Sequence, residues 1–137
     1  MEIQGVCASQ ILDSRGLPTV EVTICCGELG AFTASVPSGA STGSREACEL
    51  RDGNKAEFLG KGVTKAVHNA EHVLGKALVE EKTISVTDQA ALDAKLEEID
   101  GTEFKTNLGA NAILALSIAI CRYFFSSFDR IFEISFA

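Results

Sequence analysis

The sequence predicts an α+β fold in which a three-stranded antiparallel meander comes first and a helical bundle follows. Two observations support this prediction. Near the amino terminus, Val20, Val22 and Ile24 alternate with less apolar neighbours, as in a strand with one face toward a core. In the second half of the chain, apolar residues instead recur every three or four positions, which is typical of one face of a helix.

Turn residues divide the amino-terminal part into three strand candidates. Asp13–Gly16 and Gly27–Gly30 are turn sequences between apolar runs. Pro37 follows the third run and cannot donate a hydrogen bond to a sheet. Because the connections are short, consecutive strands are expected to pair antiparallel. The predicted strands are residues 3–12, 19–26 and 31–36.

Helical spacing begins after the strands. Two amphipathic stripes are predicted, and Thr87 is the candidate amino-terminal cap of the second. A later stretch, Leu108–Cys121, is apolar almost all round and is expected to be buried on most sides. A membrane span over residues 108–125 is the alternative, but Asn111 and Arg122 argue against it. The stripes are Val63, Val67, Ala70 and Leu74, followed by Leu92, Leu96 and Ile99.

Composition bounds the class of protein. A chain of 137 residues with a net charge of -7 fits one acidic globular domain. Its basic residues form no stripe, so neither nucleic-acid binding nor membrane association is expected. The five cysteines have no disulfide-framework spacing, and the amino terminus lacks a secretory signal. A cytoplasmic location is therefore expected.

The most informative segment is the loop Val36–Gly43, with sequence VPSGASTG. Small residues and three hydroxyls allow such a loop to approach an anion or a hard cation closely. It lacks the Gly-Lys-Ser/Thr ending of a phosphate-binding P-loop. Taken alone, the loop is weak evidence for a site, and its composition favours a simple structural turn.

Further blocks accompany this loop, and together they resemble the enolase family over about Ile3 to Arg122. The chain is therefore expected to be the amino-terminal domain of an enolase, with no barrel domain. Two regions are predicted: a domain at residues 1–122 and a divergent Phe-rich tail at residues 123–137. The blocks are Ile11–Gly16, Pro18–Val22, Val36–Gly43, Glu49–Gly53, Leu59–Val63, Asp100–Thr102 and Leu108–Leu114.

The resemblance implies a function for the loop. Enolases convert 2-phosphoglycerate to phosphoenolpyruvate and water in glycolysis with two magnesium ions, and their loop closes over the active site. By this resemblance Ser41 would ligate a Mg²⁺ ion. Gly39 and Gly43 would be hinges, and Ala40 and Thr42 would face the closed site.

Two residues outside the loop also match the family pattern. Arg15 would lie near the entrance of the site, and Glu21 would meet a partner subunit across a dimer. Leu17 departs from the pattern, since the family usually carries Asn there, and this departure bears on the turn that holds Arg15.

The family's other catalytic groups belong to a barrel that these residues do not contain. The sequence therefore predicts a truncated enolase with no catalytic residue of its own and no activity alone. Substrate would bind only in a complete site. The alternative is a non-catalytic interaction module that binds a full-length enolase subunit or another protein. Glu21 and the tail would carry that binding, through the tail residues Phe124, Phe125, Phe128, Phe132 and Phe136.

One further motif lies on the first helix candidate. His68-Asn-Ala-Glu-His72 fits the His-x-x-Glu-His pattern of inverted zinc peptidases, and the spacing places both imidazoles on one helix face. No third ligand is evident in the sequence. An exposed helix face is the alternative interpretation.

Overall fold

The computed structural model describes residues 3–27, 30–39, 43 and 45–135, with side chains as far as residue 126. Its sheet is an antiparallel meander of three strands in the order β1-β2-β3, as predicted. Val22 at the centre pairs with Ala8 on one side and with Ala34 on the other. The strands are β1 (Gly5–Leu12), β2 (Pro18–Cys25) and β3 (Ala31–Ser35).

The alternation along β2 separates the two faces of the sheet. Val20, Val22 and Ile24 are fully buried, because they point toward the helices. Thr23 lies on the opposite face, where its hydroxyl pairs with that of Thr33 at 2.8 Å. The core therefore lies on one side of the sheet.

The first helical region is continuous from residue 64 to residue 80. It consists of α1 (Thr64–His68), a π-helical segment (Asn69–Gly75) and α2 (Lys76–Glu80). Gly75 is buried where this helix crosses β1, and a Cβ atom there would lie 2.7 Å from the Cβ of Val6. The absence of a side chain at Gly75 thus allows the helix to approach the strand.

Helix α3 (Gln89–Asp100) starts one residue later than the predicted cap implied. The carboxylate of Asp88 accepts a hydrogen bond from the amide of Ala91 at 3.0 Å, which is the usual role of a cap. The prediction of Thr87 as the cap was wrong, since its hydroxyl pairs with that of Ser85. The helix ends at Gly101, which has a φ of 72°.

Helix α4 (Ala110–Ser135) crosses the sheet and contacts α3 and the π-helical segment. As predicted, the stretch Leu108–Cys121 is buried on most sides, and Leu116 and Ile120 are fully buried. Tyr123 is also buried, and its ring meets that of Phe32 edge-on at 5.4 Å. The helix continues across residues 122 and 123, where the boundary between the domain and the tail was predicted. That boundary stays a prediction.

The two polar residues that argued against a membrane span both form hydrogen bonds within the fold. Buried Asn111 exchanges two hydrogen bonds of 3.1 Å with the backbone of Leu50, and Arg122 donates to the carbonyl of Thr33. Within the described part of the chain, no helix has the length and apolarity needed to cross a membrane.

We predict that Gly75→Ala lowers the free energy of unfolding by about 1–3 kcal/mol, since the added Cβ would clash with Val6 and overpack the core. Urea denaturation measures this change. Gly5→Ala is the matched control, because its Cβ would lie 4.0 Å from that of Cys25, an ordinary contact. Equal stability of the two variants would contradict the prediction.

Candidate functional site

The loop predicted to be functional is described at its two ends. Val36–Gly39 and Gly43 have defined positions, whereas Ala40, Ser41 and Thr42 lie outside the described residues. The predicted magnesium ligand, Ser41, and the predicted roles of Ala40 and Thr42 therefore stay predictions.

The loop leaves the sheet at a fixed point. Val36 is buried, and its amide donates to the carbonyl of Val20 at 3.0 Å. Its own carbonyl accepts a hydrogen bond of 2.6 Å from the buried hydroxyl of Thr19. These contacts continue the β2–β3 pairing one residue beyond β3, so the direction of the chain into the loop is set by the sheet.

Ser38 is held by two arginines. Arg15 donates from Nη2 to the carbonyl oxygen of Ser38 at 2.9 Å, and Arg51 donates from Nη2 to its Oγ at 3.0 Å. Hydrogen bonds from a guanidinium are charge-assisted and are stronger than those between neutral groups. Both the backbone and the side chain of Ser38 are thus fixed where the loop begins.

Arg15 is positioned by the turn that precedes β2. Its guanidinium forms an ion pair of 3.0 Å with Asp13, whose carboxylate also accepts the amides of Leu17 at 2.9 Å and Arg15 at 2.8 Å. The hydrogen bond from Leu17 is the main cause that holds the pKa of Asp13 below its usual value. Since residue 17 contributes its backbone, leucine in place of asparagine is compatible with this turn.

Arg51 links four parts of the chain, and sequence reasoning assigned it no role. Besides Ser38, its guanidinium donates to the carbonyls of Pro18 and Lys61, each at 2.6 Å. It also pairs with Glu49 at 2.6 Å. Its side chain is 20% exposed, and of these acceptors Pro18 is buried, whereas Lys61 and Glu49 are exposed. The block Glu49–Gly53 was the signal that could have identified it.

The neighbouring Asp52 fixes the start of α1. Its carboxylate accepts hydrogen bonds from the amides of Thr64 at 2.8 Å and Lys65 at 2.9 Å, and from the Thr64 hydroxyl at 2.8 Å. Burial alone would raise the pKa of Asp52, but these hydrogen bonds outweigh it, and the pKa lies below its usual value. Arg51 and Asp52 therefore attach the loop and the first helix to one segment.

A cleft of about 720 Å³ opens beside the loop. Both predicted hinges, Gly39 and Gly43, lie on its wall, together with Asn111 and Leu114 of α4. Its charged lining is mainly acidic, and two of the carboxylates are paired, Glu97 with Lys105 at 3.0 Å and Glu49 with Arg51. The charged residues are Glu46, Glu49, Arg51, Asp93, Glu97 and Lys105.

This lining has a chemical consequence. A phosphate ester carries negative charge and would be repelled by an excess of carboxylates. Among the side chains of residues 3–27, 30–39, 43 and 45–126, no three of the types His, Cys, Asp or Glu are grouped closely enough to hold a metal ion. The described residues therefore do not form a complete magnesium site.

The predicted dimer contact, Glu21, lies on the face of β2 that points away from the core. Its Oε2 accepts a hydrogen bond of 3.0 Å from the hydroxyl of Ser35 on β3. It is half-buried. Its role at a subunit interface stays a prediction.

Comparisons with known proteins agree with the fold and with the family resemblance. The family profile described as "Enolase, N-terminal domain" matches residues 3–127. An enolase of Mastigamoeba balamuthi is 55% identical over 120 residues, which is 88% of this chain and 26% of that protein. The chain thus spans about a quarter of the length of this curated relative.

We predict that Arg51→Lys destabilises the protein by about 1–3 kcal/mol, because lysine cannot reach several acceptors at once and would leave the carbonyl of buried Pro18 without its hydrogen bond. Urea denaturation measures the loss, and amide hydrogen exchange should accelerate at Val36 and Ser38. Arg45→Lys, at an exposed arginine in the same part of the chain, should change neither. If both variants behave alike, the anchoring role of Arg51 is wrong.

A second prediction concerns acid stability. A carboxyl whose pKa is lowered by folding stabilises the fold above its unfolded pKa, about 3.9 for Asp, and this stabilisation is lost as the pH falls through the folded pKa. The free energy of unfolding should therefore decrease below about pH 4. Asp52→Asn should be less stable at pH 7 and should show a shallower decrease in acid. Parallel pH profiles would exclude this contribution of Asp52.

Proposed function

This chain belongs to the enolase family as an amino-terminal domain, and from that premise we propose that it supplies the active-site loop for the dehydration of 2-phosphoglycerate. The product would be phosphoenolpyruvate, as in glycolysis. The observation that carries the proposal is the attachment of Ser38, since two arginines hold the start of the family loop in place.

The geometry supports a division of labour within the loop. Val36 and Ser38 are fixed to the sheet and to Arg51, so motion would be confined to the residues that follow. Gly39 and Gly43 bound that segment, and glycine allows backbone rotations that other residues resist. In this proposal the loop closes between these glycines, Ala40 and Thr42 face the closed site, and Arg15 lies at its entrance.

Ser41 would contribute one hydroxyl oxygen to a Mg²⁺ ion, a cation that prefers oxygen ligands. A single neutral ligand binds such an ion weakly, so the other ligands, the base and the acid would come from the barrel of a complete enzyme. For that reason we propose that these 137 residues alone do not catalyse the reaction. A cytoplasmic location and a dimer contact through Glu21 belong to the same proposal.

A chimera tests this function. Residues 3–122 of this chain would replace the corresponding segment of the Mastigamoeba balamuthi enolase, and formation of phosphoenolpyruvate would be followed by its ultraviolet absorbance. The chimera should be active, and the 137-residue chain alone should not be. Ser41→Ala in the chimera should lower kcat by at least about tenfold, because it removes a ligand that acts in the reaction.

Ser44→Ala is the matched control, since Ser44 directly follows the loop in the sequence and carries a hydroxyl like Ser41. It should leave kcat within about twofold of the parent chimera. A folded chimera without activity would contradict the proposed function. Equal effects on kcat of the two serine substitutions would contradict the role of Ser41 as a ligand but not the proposed function.

The interaction-module alternative rests on a different observation. Phe125 is 62% exposed on α4, next to buried Tyr123, so an apolar ring remains available to a partner. Size-exclusion chromatography of the chain with the full-length relative tests it. Co-elution that Phe125→Ser abolishes would favour this alternative, and separate elution would exclude that partner.

A further inference from the structure

Two histidines on the first helix form a pair that the proposed enolase role does not use. The rings of His68 and His72 are stacked, with centroids 4.6 Å apart and an angle of 12° between their planes. Both residues are exposed, and the side chain of His72 has 60% of its surface open to solvent. The pair is therefore accessible to a solute.

The backbone brings these rings together. His68 ends α1, and His72 lies within the π-helical segment. A π-turn contains more residues than an α-turn, so residues four apart lie closer along the axis. Because the segment is also packed against β1 through Gly75, the two side chains start from a rigid support.

We infer that His68 and His72 form a two-imidazole site for a divalent transition cation such as Ni²⁺, Cu²⁺ or Zn²⁺. Imidazole nitrogens suit these ions, whereas Mg²⁺ prefers oxygen. Exposed rings can turn about their χ angles so that one nitrogen of each faces the ion, and water completes the coordination. Histidines four residues apart on one helix face are a known arrangement for such ions.

The surrounding charges shape this site. Glu71 lies between the histidines in sequence, and its Oε1 is 3.9 Å from Nε2 of His72. Its other oxygen accepts the amide of Ala8 at 2.8 Å, so it fixes the helix to β1 and is unsuited to act as the base of a peptidase. The two lysines one helical turn from the histidines contact other groups. Lys65 donates to the carbonyl of Asp52, and Lys76 pairs with Glu80.

The site is distinct from the Mg²⁺ chemistry of the loop and does not rest on the proposed function. With two protein ligands it binds by chelation, and its affinity depends on both rings acting together. Loss of either ring should therefore weaken binding nearly as much as loss of both.

Isothermal titration with Ni²⁺ tests the inference on the 137-residue chain, with its cysteines alkylated to exclude thiol ligands. We expect one saturable site with a dissociation constant below about 1 mM. His68→Gln and His72→Gln should each lower the Ni²⁺ affinity at least about tenfold. In the double variant the affinity should fall by less than about a further tenfold. Lys76→Gln is the control on the same helix and should bind like the parent.

A second measurement needs no variant. Paramagnetic Ni²⁺ should broaden the imidazole proton resonances of both histidines at concentrations that leave other side chains sharp, and excess Mg²⁺ should not reverse this. Binding that persists unchanged in both glutamine variants, or broadening that spares the histidines, would overturn the inference. So would the absence of Ni²⁺ binding at about 1 mM.

Discussion

The burial of helix α4 is the constraint on which the rest of the structure depends. Residues of its sheet-facing and helix-facing sides are fully buried, among them Ala115, Leu116, Ala119 and Ile120. A helix that is apolar over most of its surface must be covered on several sides. Strands β2 and β3 cover one side, and α3 and the π-helical segment cover others. Alanine at the contacts allows this close packing, and burial of the larger side chains stabilises it.

The loop Val36–Gly43 is attached to this core through a short irregular segment. Asn111 at the start of α4 donates one hydrogen bond to the backbone of Leu50 and accepts another from it. Arg51, which follows Leu50, donates a hydrogen bond to Ser38 in the loop. Asn111, Leu50 and Arg51 therefore connect the buried helix to Ser38 of the loop. Because Asp52 also caps α1, this same segment orients the helix that carries the histidine pair.

The sequence was sufficient for the elements that have strong periodicity. Alternation in β2 and the apolar stretch of α4 predicted the meander and the buried helix, and the loop motif predicted the family. The contacts of Arg51 could not be predicted, because they join residues 18, 38, 49 and 61, which only the tertiary fold brings together. The π-helical segment was also missed, because the spacing of apolar residues every three or four positions does not distinguish an α-turn from a π-turn.

We infer that these residues fold into a stable hydrophobic core on their own and that the loop is attached to this core. Native-state hydrogen exchange of the isolated 137-residue chain tests this claim most directly. We predict that the amides of Val22 and Leu116 exchange only through global unfolding, with the free energy that urea denaturation gives. Exchange of these amides at the rate of an unfolded peptide would contradict the claim, because the core would then require parts of the enzyme outside this chain.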